Sequence, residues 1–139
     1  MKNEEDGDTT MEGTVEQIMT RKVLTLAPDA DVNDAAWGLT MRGISGAPVK
    51  DAQGHVLGIV SKSDLADPGR MRSPLAPETV SDAMTPLLFA VRASDNLMDA
   101  VRRMVETGAH RLVVVDDEGK LAGIVTPMDV MRELVRREG

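Results

Sequence analysis

Two short segments carry residue types that suit the capture of a small molecule: Ser61-Lys62-Ser63-Asp64 and Thr126-Pro127-Met128-Asp129. Each places a hydroxyl three residues ahead of a carboxylate, directly after an apolar run, Gly58-Ile59-Val60 or Gly123-Ile124-Val125. An apolar run that ends in such a pair predicts a strand turning into a helix, with the hydroxyl as N-cap and the carboxylate folding back on the helix start. In the second segment Pro127 suits the first helical position, where its missing N–H would have been unpaired anyway. The chemistry on offer is recognition, because a helix start presents N–H donors and a positive dipole end to an anion. The same two segments also read as plain helix caps.

The elements that must position these residues come in two copies. A shift of 65 residues lays Val15–Leu65 on Val80–Val130 without a gap, and 13 of those 51 positions are identical, among them Met19-Thr20 on Met84-Thr85, Asp34-Ala35 on Asp99-Ala100 and Gly43 on Gly108. Each copy predicts a short helical lead-in (Val15–Met19, Val80–Met84) and a small strand near Leu24–Leu26 or Leu88–Val91. A helix over Asp31–Arg42 or Asn96–Thr107 follows and stops at Gly43 or Gly108. Two hairpin strands come next, Leu112–Val115 and Leu121–Val125 in the second copy, and then a final helix. The final helix of the second copy is expected to bury Val130, Met131, Leu134 and Val135 and to wet Arg132, Arg136 and Arg137. Gly58 and Gly123 read as points of close backbone approach. The expected organisation is a disordered acidic tail over 1–13, a first repeat over 14–67, a linker over 68–78 and a second repeat over 79–137. A repeat of about 50 residues seldom buries enough surface alone. The fold class is therefore α+β: two small sheets with flanking helices, related by a pseudo-twofold axis.

Composition narrows the function. The net charge is −7, of which residues 1–12 hold −4, and the chain has one Trp, one Phe and no Tyr. It lacks the basic surface and aromatic platforms that nucleic acid binding uses. Without cysteine there is neither a disulfide framework nor a thiolate metal site, and two histidines, His55 and His110, make no metal cluster. No apolar run approaches the roughly 20 residues that span a bilayer, and the acidic start lacks a signal-peptide pattern. The expectation is a cytoplasmic protein with no membrane and no nucleic acid partner.

The tandem βαββα unit, the Met-Thr lead-ins, Ser45-Gly46-Ala47-Pro48-Val49 before the first hairpin strand and both Gly-x-x-Ser/Thr-x-x-Asp segments resemble a pair of cystathionine-β-synthase (CBS) domains, a Bateman module, over about residues 15–137. The resemblance implies an adenosine ligand such as AMP, ADP or ATP, with S-adenosylmethionine a lesser candidate, and no required cofactor. It implies that Asp64 and Asp129 accept the ribose hydroxyls while Ser61 and Thr126 meet phosphate. Adenine would lie near Leu26, Ala47 and Pro48 in one site and near Val91, Leu112 and Val113 in the other, with Thr20 and Thr85 beside the nucleoside. The Asp64 pocket would hold Thr20 and receive His110 and Arg111 at the phosphate, which makes it the tighter site. The Asp129 pocket would receive Ser45 and Gly46.

Trp37 and Met41 lie four apart on a helix, nearly opposite its core stripe, where the second copy has Arg102 and Glu106. The resemblance implies a homodimer through this face. An alternative is that Trp37 packs on its own tail or linker. Two functions remain open: a nucleotide sensor that signals to an unknown regulated protein or to its own oligomeric state, and a ligand-free interaction scaffold. No catalytic residue and no metal ligand is identified, so an enzyme is not expected.

Overall fold

The computed structural model describes residues 11–65, 79–87 and 90–138. Residues 1–10 of the expected tail, the whole of the expected linker over 68–78, and Leu88 and Phe89 at the start of one expected strand lie outside the described residues. The chain is mixed α and β, with two three-stranded sheets flanked by helices. It divides into two compact units. Unit A comprises residues 22–65, 79–87 and 119–121, and unit B residues 11–21, 90–118 and 122–138.

In unit A, helix α1 (Val32–Met41) begins where the Asp31 carboxylate accepts the N–H groups of Asn33 and Asp34 at 2.9 and 3.1 Å. It stops at Gly43, whose φ of +64° favours glycine. Strand β1 (Gly46–Lys50) pairs antiparallel with β2 (Val56–Ser61), which runs into the helical turn α2 (Lys62–Leu65). Helix α3 (Val80–Ala83) leads to β3 (Thr85–Pro86), which pairs antiparallel with β2 through Gly58↔Pro86 and Ile59↔Thr85. Val32, Ala35 and Leu39 of α1 pack on Ala47, Val49, Val60, Val80 and Ala83. The strand expected over Leu24–Leu26 reduces to one bridge, Leu26 with Val49.

Unit B opens with a 3-10 turn at Val15–Gln17, held by a Thr14–Gln17 capping box. Strand β4 (Val91–Arg92) runs parallel to β5 (Leu112–Val115), and β6 (Leu121–Val125) completes the sheet order β4-β5-β6. Helix α4 (Leu97–Thr107) starts at Asn96, which accepts the Met98 N–H at 2.8 Å, and ends at left-handed Gly108. Helix α5 (Pro127–Glu138) follows β6.

The expected inner face of α5 needs correction. Asp129, Val130 and Glu133 are buried, whereas Met131, Leu134 and Val135 are exposed. Glu133 tolerates burial because Arg136 and Arg137 both hydrogen-bond its carboxylate. The two guanidinium groups hold it well below the usual carboxylate range, at about 2, Arg136 contributing more. Arg137 also donates to the Glu12 carbonyl at 2.5 Å, tying the lead-in segment to the end of α5.

Candidate functional site

At the end of β6 the chain passes through Thr126 into α5. The Thr126 N–H donates to Asp129 Oδ2 at 2.9 Å, and Thr126 Oγ1 donates to the same oxygen at 3.1 Å. In return the Asp129 N–H donates to Thr126 Oγ1 at 3.2 Å. This reciprocal cap holds the carboxylate in place at 8% exposure. Its other oxygen, Oδ1, accepts Thr20 Oγ1 at 3.3 Å and lies 3.5 Å from Arg132 Nη1.

Thr20 reaches Asp129 because the first lead-in segment pairs with β6. Thr20 and Ile124 exchange two backbone hydrogen bonds, at 2.8 and 3.0 Å. Gly123 makes this approach sterically allowed, since a Cβ there would stand 2.6 Å from the Thr20 carbonyl and 3.0 Å from Met19 Sδ. The expectation that Thr20 joins Asp64 is therefore corrected. A match between repeats identifies equivalent residues but does not say which strand each one pairs with.

Unit A repeats the device with the other lead-in segment. The Ser61 N–H donates to Asp64 Oδ2 at 3.2 Å, the Asp64 N–H donates to Ser61 Oγ at 3.1 Å, and Ser63 Oγ lies 3.1 Å from Ser61 Oγ. Thr85 pairs with Ile59 on β2. A Cβ on Gly58 would stand 2.4 Å from the Thr85 carbonyl and 2.9 Å from Met84 Sδ. Close approach at both glycines is thus what the motif glycine provides.

The remaining expected residues fall within one unit or the other. In unit A, Leu26 sits against the edge of β1, donating its N–H to the Pro48 carbonyl at 3.0 Å beside buried Ala47 and Pro48. Ser45 is exposed and accepts the Lys62 N–H on its carbonyl at 2.7 Å. In unit B, Val91 pairs with Val114, and Leu112 and Val113 are buried in β5. His110 is exposed and Arg111 half-buried just before that strand. Arg132 was not anticipated beside Asp129, although its spacing of three along a helix was the available signal. Among the described residues, no group of three or more His, Cys, Asp or Glu side chains could hold a metal ion, and no helix is long and apolar enough to cross a membrane.

Two strand-to-helix turns, each with a hydroxyl, a carboxylate and a lead-in threonine, make up a tandem repeat. Residues 15–67 and 80–136 each match the CBS domain model, and the chain belongs to the CBS domain family. It is similar to the chloroplastic CBS domain-containing proteins CBSX1 and CBSX2 of Arabidopsis thaliana. The identity is 32% over 91% of this chain for CBSX1 and 34% over 86% for CBSX2. The chain spans 66% and 62% of their lengths. A crystal structure of CBSX2 in complex with AMP matches with a TM-score of 0.81 at 36% identity, covering 91% of this chain and 98% of that one.

Proposed function

We propose that the chain is a sensor of adenosine nucleotides, AMP, ADP or ATP, which acts by binding rather than by catalysis. Asp64 and Asp129 accept the ribose hydroxyls, with Thr85 beside the first and Thr20 beside the second. Ser61 and Thr126, with the N–H groups behind them, face phosphate. His110 and Arg111 donate to a nucleotide phosphate, Arg111 with its charge, and Ser45 offers a hydroxyl. Adenine packs near Leu26, Ala47 and Pro48 or near Val91, Leu112 and Val113. The occupied module signals to a regulated partner or through its own homodimer, built on Trp37 and Met41.

The observation that supports this reading most is the recurrence of one hydroxyl–carboxylate turn in both units, in a chain 36% identical to a relative crystallised with AMP. S-adenosylmethionine is the secondary ligand. Calorimetric titration with AMP tests the proposal: wild type binds, and Asp64→Asn and Asp129→Asn each weaken one event. Failure of wild type to bind any adenosyl compound favours a ligand-free scaffold. That second reading draws support from Asp129, whose oxygens already meet Thr126, Thr20 and Arg132.

A further inference from the structure

The Asp129 carboxylate already has four donors around it. Oδ2 accepts the Thr126 N–H at 2.9 Å and Thr126 Oγ1 at 3.1 Å, and Oδ1 accepts Thr20 Oγ1 at 3.3 Å with Arg132 Nη1 3.5 Å away. A carboxylate offers about four lone-pair sites, so these contacts use what it has. A ribose that brings two hydroxyls to Asp129 must therefore displace one of them. All of these residues belong to unit B, so local geometry decides which contact gives way.

The four contacts differ in how readily they yield. The two from Thr126 are the shortest, and breaking them would undo the cap of α5. Thr20 is fixed by its two backbone hydrogen bonds to Ile124, at 2.8 and 3.0 Å. Arg132 makes the longest contact, its side chain is 72% exposed, and an ion pair in that setting is weak and screened by salt. The other two arginines of α5, Arg136 and Arg137, are bound to Glu133 by hydrogen bonds from Nε at 2.9 and 2.6 Å. Arg132 is thus the one whose partner is a candidate ligand group, and the one that lets go at least cost.

We infer that Arg132 makes the Asp129 site prefer phosphorylated adenosyl ligands over unphosphorylated ones, by exchanging its carboxylate partner for a phosphate. The ribose hydroxyls take its place at Oδ1. The guanidinium, on a long flexible stem one helical turn beyond Asp129, swings to the phosphate at the start of α5. Its planar fork of donors matches a phosphate as it does a carboxylate. A nucleotide gives Arg132 a new anion for the one it loses. Adenosine gives it none, so its binding forfeits the ion pair outright. The inference rests on the ribose role proposed for Asp129 and adds the origin of ligand selectivity at that site.

Calorimetry in an Asp64→Asn background reads the Asp129 event apart from the other, with AMP and with adenosine as probes. Arg132→Ala is expected to weaken AMP about tenfold, the lower end for losing a hydrogen bond to a charged group, and to leave adenosine unchanged or bound more tightly. Arg132→Lys, which keeps a charge, is expected to retain most of the AMP preference. Arg132 is exposed, so both variants should keep the wild-type circular dichroism spectrum. An unchanged AMP-to-adenosine ratio in Arg132→Ala, whether both ligands weaken together or neither does, overturns the inference and leaves the nucleotide reading standing. A ratio as low in Arg132→Lys as in Arg132→Ala overturns the exchange of charge partners. An AMP event in this background that Asp129→Asn does not weaken, or no binding of either ligand to wild type, overturns the nucleotide reading and the inference with it.

Discussion

The two strand-to-helix turns share one backbone plan and differ in what surrounds it. Gly123 and Gly58 both admit the carbonyl of a lead-in threonine, and both hydroxyl–carboxylate pairs close the same reciprocal cap. Around that plan, Asp129 is buried with a threonine hydroxyl and an arginine at Oδ1, whereas Asp64 is half-buried and its serine lies against Ser63. Farther along, the positions of Arg132 and Glu133 are taken by Asp67 and Pro68 in the first repeat. The steric demands of the turn are met identically, and the electrostatic surroundings are free to differ.

The largest effects should come from breaking the shared part. Gly123→Ala and Gly58→Ala each push a Cβ into a backbone carbonyl, and overpacking of this kind costs about 1–3 kcal/mol or more. Urea denaturation should show both variants destabilised. A neutral result at one glycine would mean that its lead-in segment is not held as described. Next come the carboxylates. Asp64→Asn and Asp129→Asn should each weaken one AMP-binding event roughly ten- to a hundredfold, the range expected for losing a hydrogen bond to a charged group. Arg111→Ala, which removes a charged phosphate donor, should weaken one AMP event more than the other.

The exchanged threonines sharpen the comparison further. Thr20→Val removes the donor to Asp129 Oδ1, a long hydrogen bond to a charged group at 3.3 Å whose loss costs about 1.5 kcal/mol, the low end of the range for such bonds. It should alter only the AMP event weakened in Asp129→Asn, while Thr85→Val should alter only the one weakened in Asp64→Asn. The reverse pattern in calorimetry would sink the pairing. The smallest effect concerns Glu133, whose carboxyl is lowered from an ordinary value near 4.5 to about 2. A depressed folded-state value means that its stabilisation is complete above about pH 4.5 and is lost as the pH falls toward 2. Glu133→Gln should flatten that part of the acid denaturation profile, and the first repeat, with Pro68 there, has no counterpart.

Local signals in the sequence were sufficient for much of this. Asp31 and Asn96 as helix starts, Gly43 and Gly108 as helix ends, and the hydroxyl–carboxylate turns each depend on residues within a few positions of one another. What escaped the sequence depends on distant partners. The bonding of Thr20 to Asp129 is set by strand pairing, which a repeat offset leaves undetermined. The inward turn of Glu133 depends on two arginines that neutralise it, a compensation that hydrophobic periodicity does not register. The strand around Leu24–Leu26 failed to extend because only Leu26 finds a bridge partner.

The exchange of lead-in segments also orders events during synthesis. Most of unit A lies within residues 22–65 and 79–87, so most of its contacts are available once residue 87 has emerged. Unit B must join residues as distant as Thr20 and Asp129, 109 positions apart, and closing so long a loop before its contacts form is entropically slow. Val15 and Glu16 find Asp95 and Ala93 earlier, but Met19 and Thr20, which meet Gly123 and Ile124, wait without those partners until β6 emerges. A nascent chain halted before that point carries a largely assembled unit A and an apolar segment open to chaperones.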